Sequence, residues 1–389
     1  MTTDDERRTS IRRNCDRFLS HHPPRTTGEW LAELAEYAGD REPDRYGEGE
    51  LIESLETRVA ELLGTEAAAF MPSGTMAQQA GLRVWADETG LDTVALHPLT
   101  HLEQNELRAL WELHHLRPLF LTDENRQPTV ADLAGVPEPI GTAVVELPLR
   151  LAGHTLPSWD ELTAFCAAAR ERDASLHFDG ARLWESAPHL GHSLPEITGL
   201  ADSVYVSFYK SLGGISGAAL AGSQPFVDAA KRWRHRHGGT LVTHFPAVLA
   251  AHRALDEVLP QIPSYVEHAR AVATALAALQ HVRIYPEPPH TNAFRIYLEA
   301  GHRALTDAAL AHAEEYGVWT WTRFWPAEVP GWSLTELSVG EATMGWRPDQ
   351  VAALVVELLD RAKPSPDHVA NADPLASPDQ LATPGHQAG

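Results

Sequence analysis

The stretch "AAAFMPSGTMAQQAGLRVWAD", residues 67–87, decides the fold class. It reads as a short apolar strand running through Ser73-Gly74-Thr75 into a helix. The same alternation recurs on its C-terminal side. "DTVALH" leads into "EQNELRALWELH", "TAVVELPL" precedes "SWDELTAFCAAARERD", and "ASLHFDG" and "SVYVSFYK" follow. Strands that alternate with helices predict a mostly parallel sheet with helices on both faces, an α/β protein. On the N-terminal side, Leu51, Ile52, Leu55, Val59, Leu62 and Leu63 recur at helical spacing, and "GEWLAELAEYAG" predicts a further short helix. Beyond about Pro246 the pattern becomes helix-rich and then carries shorter strands such as "NAFRIYLE", which predicts a smaller α+β C-terminal domain. The expected boundaries are an N-terminal segment 1–45, a large domain 46–250, a small domain 251–363 and a disordered tail 364–389. That tail is rich in Pro, Ala and Asp and has no apolar period.

Composition narrows the class of function. The chain has 389 residues, 43% hydrophobic and 22% charged, with a formal net charge of −22. Such a surface repels nucleic acid and anionic membrane, so neither is expected as a partner. No apolar run is long enough for a membrane helix, and "MTTDDERRTS" has no apolar signal core. Two cysteines, Cys15 and Cys166, imply no disulfide framework, and a cytoplasmic location is expected.

In parallel sheets ligands gather at the carboxyl ends of the strands, and four features fall at such ends. Ser73, Gly74 and Thr75 open a helix, where backbone N–H groups and hydroxyls suit a phosphate; the plainer reading is a helix cap. Asp179 follows the apolar run "ASLHF", either as a turn residue or as a carboxylate facing a cation. Lys210 closes "SVYVSFYK", and His101 lies in "HPLTHLEQNE". A strand-end lysine is often only a solvated cation, and most of the 21 histidines must be bystanders. Taken together, a phosphate cradle, an aspartate and a lysine describe a pyridoxal phosphate site. Partial desolvation would lower the lysine pKa for nucleophilic attack, and the aspartate would keep the pyridine nitrogen protonated. A metal site is not expected: His97 and His101 are four apart, but Pro98 lies between them.

Several ordered motifs carry a resemblance. "RYGEGELIESLETRVAELLGTEAAAFMPSGTMAQ", "THLEQNE", "LHFDGARLWES", "SVYVSFYKSLGG" and "AAKRWRHRHGG" resemble the threonine aldolase and β-eliminating lyase family, well over roughly residues 44–250 and loosely beyond. The resemblance implies the aspartate aminotransferase fold (fold type I) and pyridoxal 5'-phosphate held as a Schiff base on Lys210. It further implies that Asp179 partners the pyridine nitrogen, that Ser73, Gly74 and Thr75 bind the phosphate, and that His101 stacks on the ring, with a role in proton transfer. Arg182 would contact the substrate carboxylate, Ser207 would lie near the cofactor, and Tyr46 and Gly47 would approach a neighbouring subunit's site. A homodimer or homotetramer acting on an amino acid is implied, most simply a lyase that cleaves the Cα–Cβ bond of a β-hydroxy amino acid. β-Elimination, racemisation or another amino-acid conversion is the alternative, and a catalytically silent cofactor-binding protein is the rival of another class.

Departures from the family bear on the substrate. Its opening "LRSDT" serine has no counterpart in "CDRFLSHHPPRTT", and its "ENTHN" becomes "ELPLR", Glu146 to Arg150, without the second histidine. The arginine after the glycine run is replaced within "GGTLVTHF", leaving Thr240 or Thr243. The carboxylate-clamping arginine is absent from "SLTELSVGE", where Glu336 stands. Arg323, among Trp319, Trp321 and Trp325, is a candidate clamp with an apolar wall, or else an exposed residue on a small core; Arg150 is a further candidate.

Overall fold

The computed structural model describes residues 3–363; the tail expected to be disordered, 364–389, lies outside them. The chain divides into two compact units, Pro24–Ser264 and a second one built from the two ends of the chain. The larger unit is therefore wider than the expected 46–250. The N-terminal segment splits because Arg17–Phe18 pairs in parallel with Val318–Trp319, which ties the first residues to the C-terminal part.

The larger unit contains a seven-stranded sheet. Its order is Ala67–Met71, Ala218–Gly222, Ser203–Ser207, Ser175–Gly180, Thr142–Glu146, Thr93–Leu96 and Arg117–Phe120. All neighbours run parallel except Ala218–Gly222, which is antiparallel to both strands beside it. Every residue of the strands Thr142–Glu146 and Ser203–Ser207 is buried. These strands are thus buried on both faces, as helices covering a parallel sheet require. The helix Glu50–Leu63 turns Leu51, Ile52, Leu55, Val59 and Leu63 inward and stops at Gly64, whose φ of 67° is the left-handed conformation that glycine adopts without strain. Behind Ala67–Met71, the helix Gly74–Thr89 packs Ala77, Ala80, Val84 and Trp85 against Tyr205, Leu220 and Phe226.

Two local expectations change. "EQNELRALWELH" forms two short helices, His101–Gln104 and Ala109–His114, broken at Leu107 and Arg108, both at positive φ. The break turns Glu106 inward, where it is buried. The strand Ser203–Ser207 ends three residues before Lys210, so the lysine sits in the bend that follows the strand.

In the second unit a four-stranded antiparallel sheet runs in the order Trp325–Pro326, Ser333–Ser338, Ala293–Leu298 and Val282–Tyr285. Ile11 and Cys15 pack with Leu310 and Ala313, and Trp319 lies against them. Trp321 is buried, whereas Arg323 and Trp325 are exposed, so the three tryptophans do not form one wall.

Candidate active site

Three adjacent parallel strands deliver polar groups to one edge of the sheet. Glu146 ends one strand, and Asp179, its register partner, stands near the end of the next. Lys210 follows the third. His101, Glu146, Arg150, Asp179, Arg182 and Lys210 line a common pocket together with Leu147, Pro148 and Leu151. Asp179 is 1% exposed. The sequence positions these groups for a simple reason: parallel strands end on the same side of the sheet, so residues at or just past each strand's end reach the same crevice.

The electrostatics of the pocket are set by burial first. Burial lowers the Lys210 amine to about 8; Arg182 and Arg150 push it the same way, while Asp179 and Glu146 oppose them. His101 is lowered to about 4 by burial and then by the Lys210 charge, so its imidazole is neutral at neutral pH. Glu146 is raised to about 7 by burial and by Asp179, even though its oxygens accept from the backbone N–H groups of His101 at 2.7 Å and Arg150 at 3.1 Å. The break between the two short helices brings Glu106 to 3.1 Å from His101 Nδ1; its other oxygen accepts from Gln79 at 2.8 Å. Burial raises this carboxyl to about 8, and Thr75 hydrogen-bonds to it as well.

Asp179 is held from two sides. Oδ1 accepts from the Ala181 N–H at 3.1 Å and Oδ2 from the Gln78 amide at 2.5 Å. Arg182 lies 4.0 Å from Glu185, whose carboxylate also accepts from Ser211. That carboxyl is completely buried, and burial raises it to about 7 while the Arg182 charge opposes the shift.

The remaining expected residues divide. Ser73 caps the helix Gly74–Thr89, accepting from the Met76 N–H at 3.2 Å, so the capping role is real. The first N–H groups of this 16-residue helix still lack intrahelical partners. Gly74 is required by packing: a Cβ there would lie 2.1 Å from Tyr205 Oη. Gly74→Ala is expected to destabilise the protein by about 1–3 kcal/mol, measured as a lower denaturation midpoint. Ser207 donates to the Ala181 carbonyl at 2.9 Å and fastens two strand exits together rather than lining the pocket. Thr243 donates its hydroxyl to Asp44 at 3.0 Å. Tyr46 is exposed at positive φ, its N–H bonded to the Val242 carbonyl, and it is not among the pocket-lining residues. Arg323 belongs to the other unit. Both nitrogens of His97 are engaged, with the Glu124 carbonyl and the Leu99 N–H, so it is a loop fastener. Glu106, Gln78 and His177 were not legible in the sequence; only the burial of their polar groups singles them out.

A buried amine of lowered pKa, a buried carboxylate and a nearby helix N-terminus fit an aldehyde-bearing, phosphorylated pyridine cofactor. The comparisons with known proteins agree with the fold. Residues 26–300 match the model of the family described as β-eliminating lyase. Low-specificity L-threonine aldolase 1 of Arabidopsis thaliana is 28% identical over 276 residues, 68% of this chain and 76% of the relative. Aldolase vrtJ of Penicillium aethiopicum is 30% identical over 290 residues, 73% of this chain and 74% of the relative. The crystal structure of a Listeria monocytogenes protein described as a "putative L-allo-threonine aldolase" superposes with a TM-score of 0.86 at 36% identity, covering 92% of this chain and 99% of that one. A family match over most of the chain, with relatives at this identity and coverage, decides the matter: the chain belongs to the β-eliminating lyase family, which it shares with threonine aldolases.

Proposed function

We propose that the protein is a pyridoxal phosphate-dependent lyase that cleaves the Cα–Cβ bond of a β-hydroxy amino acid. The observation that carries this reading is the buried Lys210 amine, lowered to about 8, in one pocket with Asp179 and the neutral His101. Lys210 would hold the cofactor, Asp179 would face its ring nitrogen, and the N-terminus of the helix Gly74–Thr89 would receive its phosphate. When bound, the cofactor supplies an electron sink for the pair left on Cα.

The chain's own residues do the rest. Glu106 occupies Nδ1 of His101, so Nε2 is the ring nitrogen that can meet the substrate's β-hydroxyl, and it accepts that proton in the tautomer whose Nδ1–H donates to Glu106. Because the imidazole is neutral well above pH 4, it is ready to accept that proton at neutral pH. The Lys210 amine is the group suited to return a proton to Cα. Arg182, 4.0 Å from Glu185, suits the substrate's α-carboxylate. Leu147, Pro148 and Leu151 give the pocket an apolar wall for the side chain, where the family has a second histidine nearby.

The deciding experiment supplies L-threonine and L-allo-threonine to the cofactor-loaded protein and identifies the products. Glycine and acetaldehyde are expected; ammonia and a 2-oxo acid would replace this reading with β-elimination. No change in the cofactor absorbance with any amino acid would overturn the enzyme reading and leave the catalytically silent one. Arg182→Lys should raise KM about 10- to 100-fold with a smaller effect on kcat, because a lysine cannot reproduce the bidentate fork. A larger KM effect from Arg150→Ala or Arg323→Ala would move the carboxylate contact there.

We further propose that the enzyme works as a homodimer or homotetramer in the cytoplasm. Exposed Tyr46, Leu241 and Val242 on adjoining loops of the larger unit support an interface, which sedimentation velocity tests. Both cysteines are free, and no helix among the described residues is long and apolar enough to cross a membrane.

A further inference from the structure

Five buried groups form one line of hydrogen bonds that ends on Asp179. Trp85 Nε1 donates to Ser203 Oγ at 2.8 Å, and Ser203 Oγ lies 2.7 Å from His177 Nδ1. His177 Nε2 lies 2.6 Å from Gln78 Oε1, and the Gln78 amide nitrogen lies 2.5 Å from Asp179 Oδ2. His177, Gln78 and Asp179 are each exposed by 1% or less.

The chemistry of these groups leaves one arrangement of protons. The Gln78 amide nitrogen donates to the Asp179 carboxylate, so Gln78 Oε1 faces His177 Nε2 and accepts from it, while Ser203 Oγ accepts from the Trp85 indole N–H and turns its own hydrogen toward His177 Nδ1. Nδ1 then carries no proton, and Nε2–H must donate to Gln78 Oε1. Burial holds His177 neutral, far below the ordinary histidine range, which removes the doubly protonated ring as an alternative. An Asp179 that donated through Oδ2 would require the opposite arrangement. Gln78 would flip, His177 would change tautomer, and the Ser203 hydrogen would lose its acceptor on the ring.

We infer that this line of contacts runs in one direction, holds His177 as the Nε2-protonated tautomer, and makes Gln78 and His177 positioning residues that keep Asp179 an anionic acceptor. Its consequence for the cofactor rests on the reading of Asp179 given above; the tautomer does not. An anionic Asp179 with both oxygens already oriented by donors meets a protonated ring nitrogen without reorganisation.

The test is ¹⁵N NMR of histidine-labelled, cofactor-loaded protein, with the His177 signal assigned by its loss in His177→Gln. A bare Nδ1, a protonated Nε2 and no titration between pH 6 and 9 are expected. An Nδ1-protonated, mixed or doubly protonated His177 overturns the inference. Gln78→Met keeps the side-chain shape but removes the acceptor and the donor. It should populate the Nδ1-protonated form and weaken pyridoxal phosphate binding about 10-fold or more, by analogy with outer-shell partners of other bound groups. A merely structural Gln78 would leave the tautomer unmoved, and wild-type affinity in Gln78→Met also overturns the inference. If wild-type protein does not bind pyridoxal phosphate, the function proposed above fails, and the tautomer measured without cofactor still decides the direction of the line.

Discussion

Lys210→Ala is expected to lower turnover on the order of 1,000-fold or more, the range for loss of a nucleophile that also moves a proton. The side chain is buried in the pocket with Asp179, His101 and Arg182, and burial with Arg182 nearby lowers its amine to about 8. An ordinary exposed lysine would carry only a trace of free amine at neutral pH. The lowered pKa raises the neutral, nucleophilic share to about a tenth at pH 7, and the sign of its pH dependence follows. Covalent loading of pyridoxal phosphate should accelerate as pH rises through about 8 and level off above it, because only the free amine attacks. Borohydride reduction followed by gel filtration should leave cofactor attached to the wild type and none to Lys210→Ala. A Lys210→Ala protein that retains reducible, covalently bound cofactor would sink the assignment.

Asp179→Asn should lower kcat/KM on the order of 100- to 1,000-fold, the scale for removing one preorganised charge from a buried site. The substitution keeps the shape and deletes the anion. Its single oxygen can accept from Gln78 or from the Ala181 N–H, but not from both as the carboxylate does. One buried donor is left unmet, at a stability cost of about 1–3 kcal/mol that thermal unfolding would detect. Activity should therefore fall far more than stability does. An Asp179→Asn enzyme with wild-type kcat/KM would show that no charge is needed opposite the cofactor ring.

How much of this was legible depended on whether the relevant neighbours were close in sequence. Lys210, Asp179 and His101 each follow or precede an apolar run, so strand-end chemistry pointed to them, and they share one pocket. The helix Glu50–Leu63 was equally plain, because its apolar period is a local pattern. The antiparallel strand Ala218–Gly222 was not, since "AALAG" has no β-branched or aromatic residue to mark it. The edge strand Arg117–Phe120 is only four residues long and contains Pro118, so it too lacks a periodic signal. Ser207 and Thr243 hydrogen-bond Ala181 and Asp44, partners 26 and 199 residues away, contacts that no local pattern shows.

By itself the sequence determined the layer order and the kinds of side chain offered at the sheet's edge. Strand and helix periods are local, and a residue past a parallel strand has one place to go. Only the tertiary structure decided the state of those side chains. Glu106 reaches His101 because a helix breaks, and Gln78 meets Asp179 across 101 residues of chain. The amine of Lys210 is lowered by burial and by guanidiniums carried on other segments. Protonation and tautomer depend on solvent exclusion and on charges through space, and neither is written along the chain.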